Sequence, residues 1–536
     1  MQDRRRQRQT ALPSEGQSQG EGAGAVAGAS RANPGPEAPA AVTVSVGAEI
    51  GRADPRLFGS FVEHLGRGVY GGVFDPGHPT ATPEGFRDDV LDLVRELGVT
   101  VVRYPGGNFV SGYDWRDGIG PAAERPRRLD LAWKSVETNA FGTDEFIAWC
   151  RAADVEPMLA LNLGLGTVRD ALQLLEYANH PSGTALSDER VRNGSPDPHD
   201  VRLWCLGNEL DGPWQLGARS AEAYGELAAV TASAMRMFDD DLELVAVGSS
   251  NAQMSTFGTW EATVLERTID LVDYLSCHIY FYNDGDLATF LDSSLVLDRF
   301  LEQIAATIQH VKAVTRSERD VRISLDEWNV WNYTAYDEQK PDRRFEIAPR
   351  ILEEEYTLAD AVVVGTLLQS ILNHADVVSI AAMAQLVNVI GPIRAEPDGA
   401  WRQTTFHPFA AVARSAGHTV LRSSAVADAG HAASAQAVVT TVTLSPDGHA
   451  IAVYLGHRGT EGSVHVEVDL AGLDAAEITR SELIWHPDPL ATNTAADPLR
   501  VVPRTLPARL VGDRLVVELP SVSWASIRMV RRSARG

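Results

Sequence analysis

Glu209 and Glu327 are the carboxylates in this sequence with the setting of reactive groups. Glu209 follows Asn208 in the run VRLWCLGNEL, and Glu327 follows Asp326 in VRISLDEWNVW. Each closes an apolar stretch, with Trp204, Trp214, Trp328 and Trp331 beside them. Most of the 72 acidic residues must be ordinary solvated charges, so an acid at the end of an apolar, tryptophan-rich run is singled out by its setting. Partial burial raises the proton affinity of such a group and makes it useful as an acid or base. Two such carboxyls facing one bond are what glycoside hydrolysis needs, one to protonate the leaving oxygen and one opposite it.

Other polar side chains repeat the pattern. Glu63 and His64 follow LFGSFV, Gly106, Gly107 and Asn108 follow TVVRY, and Asn162 ends PMLALN. His278 and Tyr280 close YLSCHIY, and Gln385 follows VVSIAA. Amides, carboxylates, imidazole and phenol at corresponding positions suit the recognition of a polyhydroxylated ligand.

The elements that must position these groups are short β-branched runs alternating with longer amphipathic ones. Strands are expected at Leu57–Val62, Thr100–Tyr104, Pro157–Asn162, Val201–Leu206, Leu244–Gly248, Tyr274–Ile279, Val321–Leu325 and Val377–Ala382. They read as continuous apolar runs, as parallel strands buried on both faces do. Helical stretches lie between them at Asp88–Leu97, Thr143–Ala153, Ala221–Phe238, Leu295–Thr315 and Glu353–Asn373. Eight strands alternating with helices predict an α/β fold, a (β/α)8 TIM barrel over residues 58–403. Chemistry in such a barrel sits at the carboxyl ends of the strands, where all of the residues above fall.

After residue 403 the period changes to two, in AVVTTVTL, AIAVYL, VHVEVDL and RLVVEL. Residues 404–536 are therefore read as a C-terminal antiparallel β-sandwich. Residues 41–57 contain a further strand, VTVSV, with no helix after it, expected to join that sandwich. Residues 1–40 are Ala, Gly, Pro, Ser and Gln behind a basic start, and are read as a disordered tail, natural or a start-site artefact. Their basic start is followed by no apolar h-region, so a secretory signal is not expected.

Composition narrows the function. With 44% hydrophobic and 22% charged residues the chain is globular. A net charge of −25 repels phosphate backbones, so no nucleic-acid partner is expected. No apolar run is long enough to span a bilayer, which argues against a membrane. Cys150, Cys205 and Cys277 form no CxxC pair and sit in apolar runs, consistent with core thiols and a cytoplasmic location. Gly66, Gly68 and Gly71 spell GxGxxG, but Asp75, Pro76, Pro79 and Pro83 follow where a nucleotide site needs a helix. The 14 histidines show no ligand spacing, and no metal or organic cofactor is expected. The RPRR run at Arg125–Arg128 is read as a loop held by carboxylates or a subunit contact.

The stretches FGSFVEHLGRGVYGGVFDPGHPT, VRYPGGNFVSGYDWRDGIGP, ERPRRLDLAWKSVETNAFGTDEF, CLGNELDGPWQLG, LDEWNVWN and QLVNVIGPI resemble the bacterial, intracellular α-L-arabinofuranosidases of glycoside hydrolase family 51. The resemblance spans about residues 56–410, with a weaker likeness in the C-terminal domain. It implies Glu209 as acid/base and Glu327 as nucleophile. It further implies sugar contacts from Glu63, Asn108 and Asn208, an aromatic wall from Trp133, and His278, Tyr280 and Gln385 around the pocket. Leu325 stands where the family often has Phe, and Phe281 where another aromatic is common.

The activity so implied is retaining, exo-acting hydrolysis of terminal non-reducing α-L-arabinofuranosyl residues from arabino- and arabinoxylo-oligosaccharides. It would proceed by double displacement, with Glu327 ionised and Glu209 protonated. The resemblance also implies a homo-oligomer, commonly a hexamer. Two alternatives differ in kind: a related barrel β-glycanase of endoglucanase or xylosidase type, and a non-catalytic carbohydrate-binding protein. The first would want a long, open, aromatic cleft, and the second would lack one of the two glutamates.

Overall fold

The structure is a computed structural model that describes residues 40–332, 345–426 and 437–532. The segment read as a disordered tail lies, but for its last residue, outside the described residues.

Eight strands form a closed barrel: β1 (Gly59–Phe61), β2 (Val101–Tyr104), β3 (Glu156–Ala160), β4 (Leu203–Cys205), β5 (Glu243–Ala246), β6 (Tyr274–Phe281), β7 (Arg322–Val330) and β8 (Val378–Ala384). Every neighbouring pair is parallel, and β8 closes on β1 with Ala382 opposite Gly59. Alternate side chains fill the interior, among them Val101, Met158, Leu203, Val245 and Ile380. The opposite faces pack on the surrounding helices. Burial on both faces is why these strands read as uninterrupted apolar runs.

The expected helices Asp88–Leu97, Thr143–Ala153 and Ala221–Phe238 are present with those bounds. The next begins slightly earlier, as Ser293–Thr315. The helix expected from Glu353 begins at Leu358, because Thr357 caps it. The Thr357 hydroxyl accepts from the Asp360 amide, and Asp360 accepts from the Thr357 amide at 2.7 Å. Further helices between the barrel strands, among them Val168–Asn179 and Thr259–Thr268, lie outside those expected. The first carries a capping box on Thr167 and Asp170 that the sequence displays as TVRD.

The C-terminal strands and the N-terminal strand Ala40–Arg52 form one ten-stranded sheet. The antiparallel C-terminal β-region is present as expected; hydrogen bonds run through all ten strands, and one neighbouring pair is parallel. Ala40–Arg52 lies between Thr419–Val426, to which it is antiparallel, and Ser463–Asp469, to which it is parallel. A sheet this wide curls on itself to bury its apolar face, and Val42, Leu421, Val453, Val466, Leu515 and Ile527 share the resulting core.

The sheet rests on the helix Leu358–Asn373. Trp524 is the key of this junction: its ring is buried, and its Nε1 donates to Gln369 Oε1 at 3.1 Å. Gln369 Nε2 in turn donates to the Tyr454 carbonyl at 2.9 Å. Gly365 makes room, since a methyl there would stand 2.5 Å from Trp524 Cδ1. All three cysteines are buried and free. Within the RPRR run, Arg125 pairs with Glu145 and Arg128 with Asp117, each at 2.7 Å. No helix among the described residues is long and apolar enough to cross a membrane.

Trp524→Ala should open a cavity between barrel and sheet and strand the Gln369 side-chain oxygen Oε1. Loss of about 3–5 kcal/mol is expected, read as a clear drop in melting temperature; unchanged melting would refute this account of the junction.

Candidate active site

Glu327 lies near the end of β7, directly opposite His278 in the β6 register. Glu209 lies four residues past β4, with φ of +44°, a left-handed backbone that is strained for a side chain of this kind. The two carboxylates and His278 converge. His278 Nδ1 is 3.1 Å from Glu209 Oε1 and 3.5 Å from Glu327 Oε2. One oxygen of each carboxylate and a nitrogen of His278 all lie within 4.8 Å of one another.

Donors fix each carboxylate. Glu327 Oε1 accepts from Arg103 Nη1 at 2.7 Å, and its Oε2 accepts from Tyr280 Oη at 2.8 Å. Glu209 Oε2 accepts from Trp214 Nε1 at 2.7 Å. Arg103 rises from β2, is 1% exposed, and also donates through Nη2 to Asn208 Oδ1 at 2.6 Å. That bond turns the Asn208 amide so that its Nδ2, buried, has no partner among the described residues. Asp326 sits behind, 3.6 Å from Arg103 Nε and 3.3 Å from His278 Nε2, and it accepts from Ser276 Oγ.

Electrostatics follow from this packing. Burial opposes charge on His278, but Glu327, Asp326 and Glu209 override it and push the imidazole up to about 10. Burial would raise Asp326, yet Arg103, His278 and Ser276 hold it below the usual carboxylate range. The centre therefore contains two cations, Arg103 and His278, among three acids.

A second network adjoins the first. Glu63 Oε1 accepts from the Phe109 amide at 2.9 Å and from Trp133 Nε1 at 2.8 Å; Oε2 accepts from Gln385 Nε2 at 3.2 Å. Asp130 accepts from the Ala132 and Trp133 amides at 2.9 and 3.0 Å and so sets the loop that presents the Trp133 ring. Gly107 separates the two networks: a methyl there would stand 3.1 Å from Glu327 Oε1 and 3.4 Å from Glu63 Oε2. Asn108, half-buried, begins the short 3-10 turn Phe109–Gly112 and joins neither network among the described residues.

Thus Glu209, Glu327, Asn208, His278 and Tyr280 are brought together, and Glu63, Trp133 and Gln385 form the adjoining wall. Three participants were missed: Arg103, Ser276 and Asp130; Asp326 was read only as a strand-end neighbour of Glu327. Arg103 had a signal, because a charge inside a strand buried on both faces must have a buried partner. Of the flanking tryptophans, Trp214 touches Glu209 and Trp331 stands edge-on to Tyr280 with ring centres 5.3 Å apart. Trp204 and Trp328 are buried in the packing between barrel and helices. The Cys205 thiol lies 3.7 Å from Asp326, but burial above all pushes it up to about 12, so it is an inert core thiol.

A parallel barrel with paired carboxylates and hydroxyl-binding groups at one rim has the architecture of a glycoside hydrolase. Comparison with known proteins narrows this class. The family description "Alpha-L-arabinofuranosidase 1 domain" matches residues 93–295, and "Alpha-L-arabinofuranosidase C-terminal domain" matches 326–523. An intracellular exo-α-(1→5)-L-arabinofuranosidase of Streptomyces lividans is 51% identical over 494 residues, covering 91% of this chain and 74% of the relative. An exo-α-(1→6)-L-arabinofuranosidase of Bifidobacterium longum is 47% identical, covering 90% and 95%. A solved family 51 α-L-arabinofuranosidase from Bifidobacterium longum superposes with a TM-score of 0.87 at 42% identity, covering 92% of this chain and all of that one. The chain belongs to the α-L-arabinofuranosidases of glycoside hydrolase family 51.

Glu63 yields a stability test. Burial foremost pushes its carboxyl from 4.5 up to about 8, Glu327 adding repulsion and the Phe109 and Trp133 bonds opposing. The folded protein thus keeps a proton that the unfolded chain releases. This contribution is full below about pH 4.5 and is lost as pH rises through about 8. Glu63→Gln removes the titration, so its melting temperature should gain on wild type between those pH values; a constant difference across the range would disprove the assignment.

Proposed function

We propose that this protein releases terminal non-reducing α-L-arabinofuranosyl residues from arabino- and arabinoxylo-oligosaccharides by retaining double displacement. In this reading Glu327 is the nucleophile and Glu209 the acid/base. The single observation that carries it is the closeness of the two carboxylates, with oxygens within 4.8 Å. Retaining glycosidases hold their carboxyl groups about 5–5.5 Å apart, whereas inverting ones leave about 6.5–9.5 Å for a water.

The surroundings support the roles. Arg103 and Tyr280 each donate to one oxygen of Glu327 and so aim it. Glu209, 9% exposed, is held by Trp214 at the mouth of the same site. Glu327 attacks the anomeric carbon while Glu209 gives its proton to the departing oxygen. Ester formation neutralises Glu327, and Glu209, now a carboxylate, takes a proton from water as that water attacks the same carbon. Asn208 Nδ2, held free by Arg103, is placed to donate to a sugar hydroxyl. Glu63, Gln385 and Trp133 form the opposite wall, with Asn108 at its edge. The exo mode follows the names of both relatives. A cytoplasmic location follows the name of the Streptomyces enzyme, and a homo-oligomer, a hexamer by resemblance, completes the reading.

Glu327→Ala should lower hydrolysis of 4-nitrophenyl α-L-arabinofuranoside by at least about a thousand-fold, with azide restoring turnover as a glycosyl azide of inverted configuration. Glu209→Ala with azide should instead give the retained configuration. Exchange of those two outcomes would reverse the roles. Cleavage of β-glucosides without arabinofuranosides would overturn the substrate, and a solution mass near 58 kDa would overturn the oligomer.

A further inference from the structure

The loop that delivers Glu209 carries a second acid, Asp211, which the steps above do not use. The Gly212 amide closes the turn between them by donating to the Glu209 carbonyl at 2.9 Å. Asp211 Oδ2 accepts from the Ser250 amide at 3.0 Å and from its hydroxyl at 3.1 Å. Asp211 Oδ1 is closed off from solvent and has no hydrogen-bond partner among the described residues. Ser250 follows β5, and the carbonyl of neighbouring Ser249 accepts from the His278 amide at 3.3 Å. The Ser249 amide is itself anchored on Glu261 at 2.8 Å. One two-residue step therefore supports both the Glu209 loop and the backbone of His278.

A neutral amide oxygen at Asp211 could accept both Ser250 bonds. The cross-link between loops needs an acceptor; it does not need a charge. The charge acts on Glu209, two residues away on its own loop, and on His278 on β6. Among the described residues His278 also faces Glu327 and Asp326 on β7, which in turn face Arg103 on β2.

We propose that Asp211 is a positioning residue for the reaction: its carboxylate fixes the Glu209 loop to the step after β5, and its negative charge keeps the acid proton on Glu209 to higher pH. The proposal rests on Glu209 being the proton donor. Its sense follows from mutual repulsion. Burial first, then Glu209, pushes the Asp211 carboxyl up to about 7, against the pull of the Ser250 bonds and of His278. The same repulsion acts in the other direction. Once Asp211 is ionised, loss of the Glu209 proton would set two negative charges on one short loop.

The test is the pH profile of kcat/KM for an arabino-oligosaccharide, whose leaving group needs the proton. Asp211→Asn keeps the acceptor for Ser250 and removes the charge. Its alkaline limb should move down by about half to one pH unit, a loss of about 3- to 10-fold one unit above the wild-type limb. The acid limb should stay in place, and 4-nitrophenyl arabinofuranoside, with its better leaving group, should show a smaller loss. Asp211→Glu should keep the wild-type limb. Ser250→Ala takes one donor from the carboxylate, keeps it neutral to higher pH, and should move the limb the same way by less; it carries the test alone if Asp211→Asn does not fold. A uniform loss of rate with an unmoved alkaline limb in the folded variants would overturn the proposal. Full activity in Glu209→Ala would instead overturn the assignment on which it rests.

Discussion

A guanidinium sealed inside the barrel governs the arrangement of the site. Arg103 has no water to solvate it, so its charge must be met by protein groups. Glu327 meets it at 2.7 Å, Asp326 at 3.6 Å, and the Asn208 amide oxygen at 2.6 Å. These are contributions of β7 and of the loop after β4 to a side chain rising from β2. The same contact that solves the burial of a cation points a carboxylate at the centre and exposes an amide donor to it. His278, which faces Glu209, Glu327 and Asp326, is the second cation of the centre.

The spacing depends on what is absent as much as on what is present. Gly107 lies between Glu63 and Glu327, and its missing side chain lets both carboxylates share one small volume. Gly106, with φ of +154°, leaves space that a methyl would contest with Glu63 Cγ at 2.5 Å. The pair thus keeps Glu63 and Glu327 within one rim without an intervening side chain. This explains why the run after β2 is two glycines, where a turn alone would require only one.

Much of this was legible in the sequence. Parallel strands buried on both faces announce themselves as apolar runs, and polar residues at their carboxyl ends mark the rim. Glu63, Asn208, Glu209, His278, Tyr280, Glu327 and Gln385 could be found in that way. Arg103 was hidden because it sits inside such a run, where the eye reads only the apolar neighbours. The tryptophans misled for a related reason: proximity in sequence does not tell which side of a strand a ring takes. Trp204 and Trp328 point toward the helices, whereas Trp214, on a loop, reaches back to Glu209. Trp133 was found through family resemblance and could not have been read from periodicity, since it stands on a loop whose shape is set by Asp130. The C-terminal strands were visible from their alternation, but alternation says nothing about which strands are neighbours. The continuity of the ten-stranded sheet was therefore beyond reach.

The sheet also has a mechanical relation to the chemistry. The helix Leu358–Asn373 connects the strand bearing Glu327 to the strand that leads to Gln385, and nearly all of its residues are buried. A helix that is apolar on every side needs cover on every side. The barrel covers one side, and Trp524, Tyr454 and the strands around them cover the other. Without the sheet this helix would present an apolar face to water, and the segment between β7 and β8 would lose the packing that fixes its ends. The N-terminal strand Ala40–Arg52 ties into that same sheet just before the chain enters β1 and reaches Glu63. Both ends of the described chain thus converge on one sheet, which braces the barrel where β7, β8 and β1 place Glu327, Gln385 and Glu63.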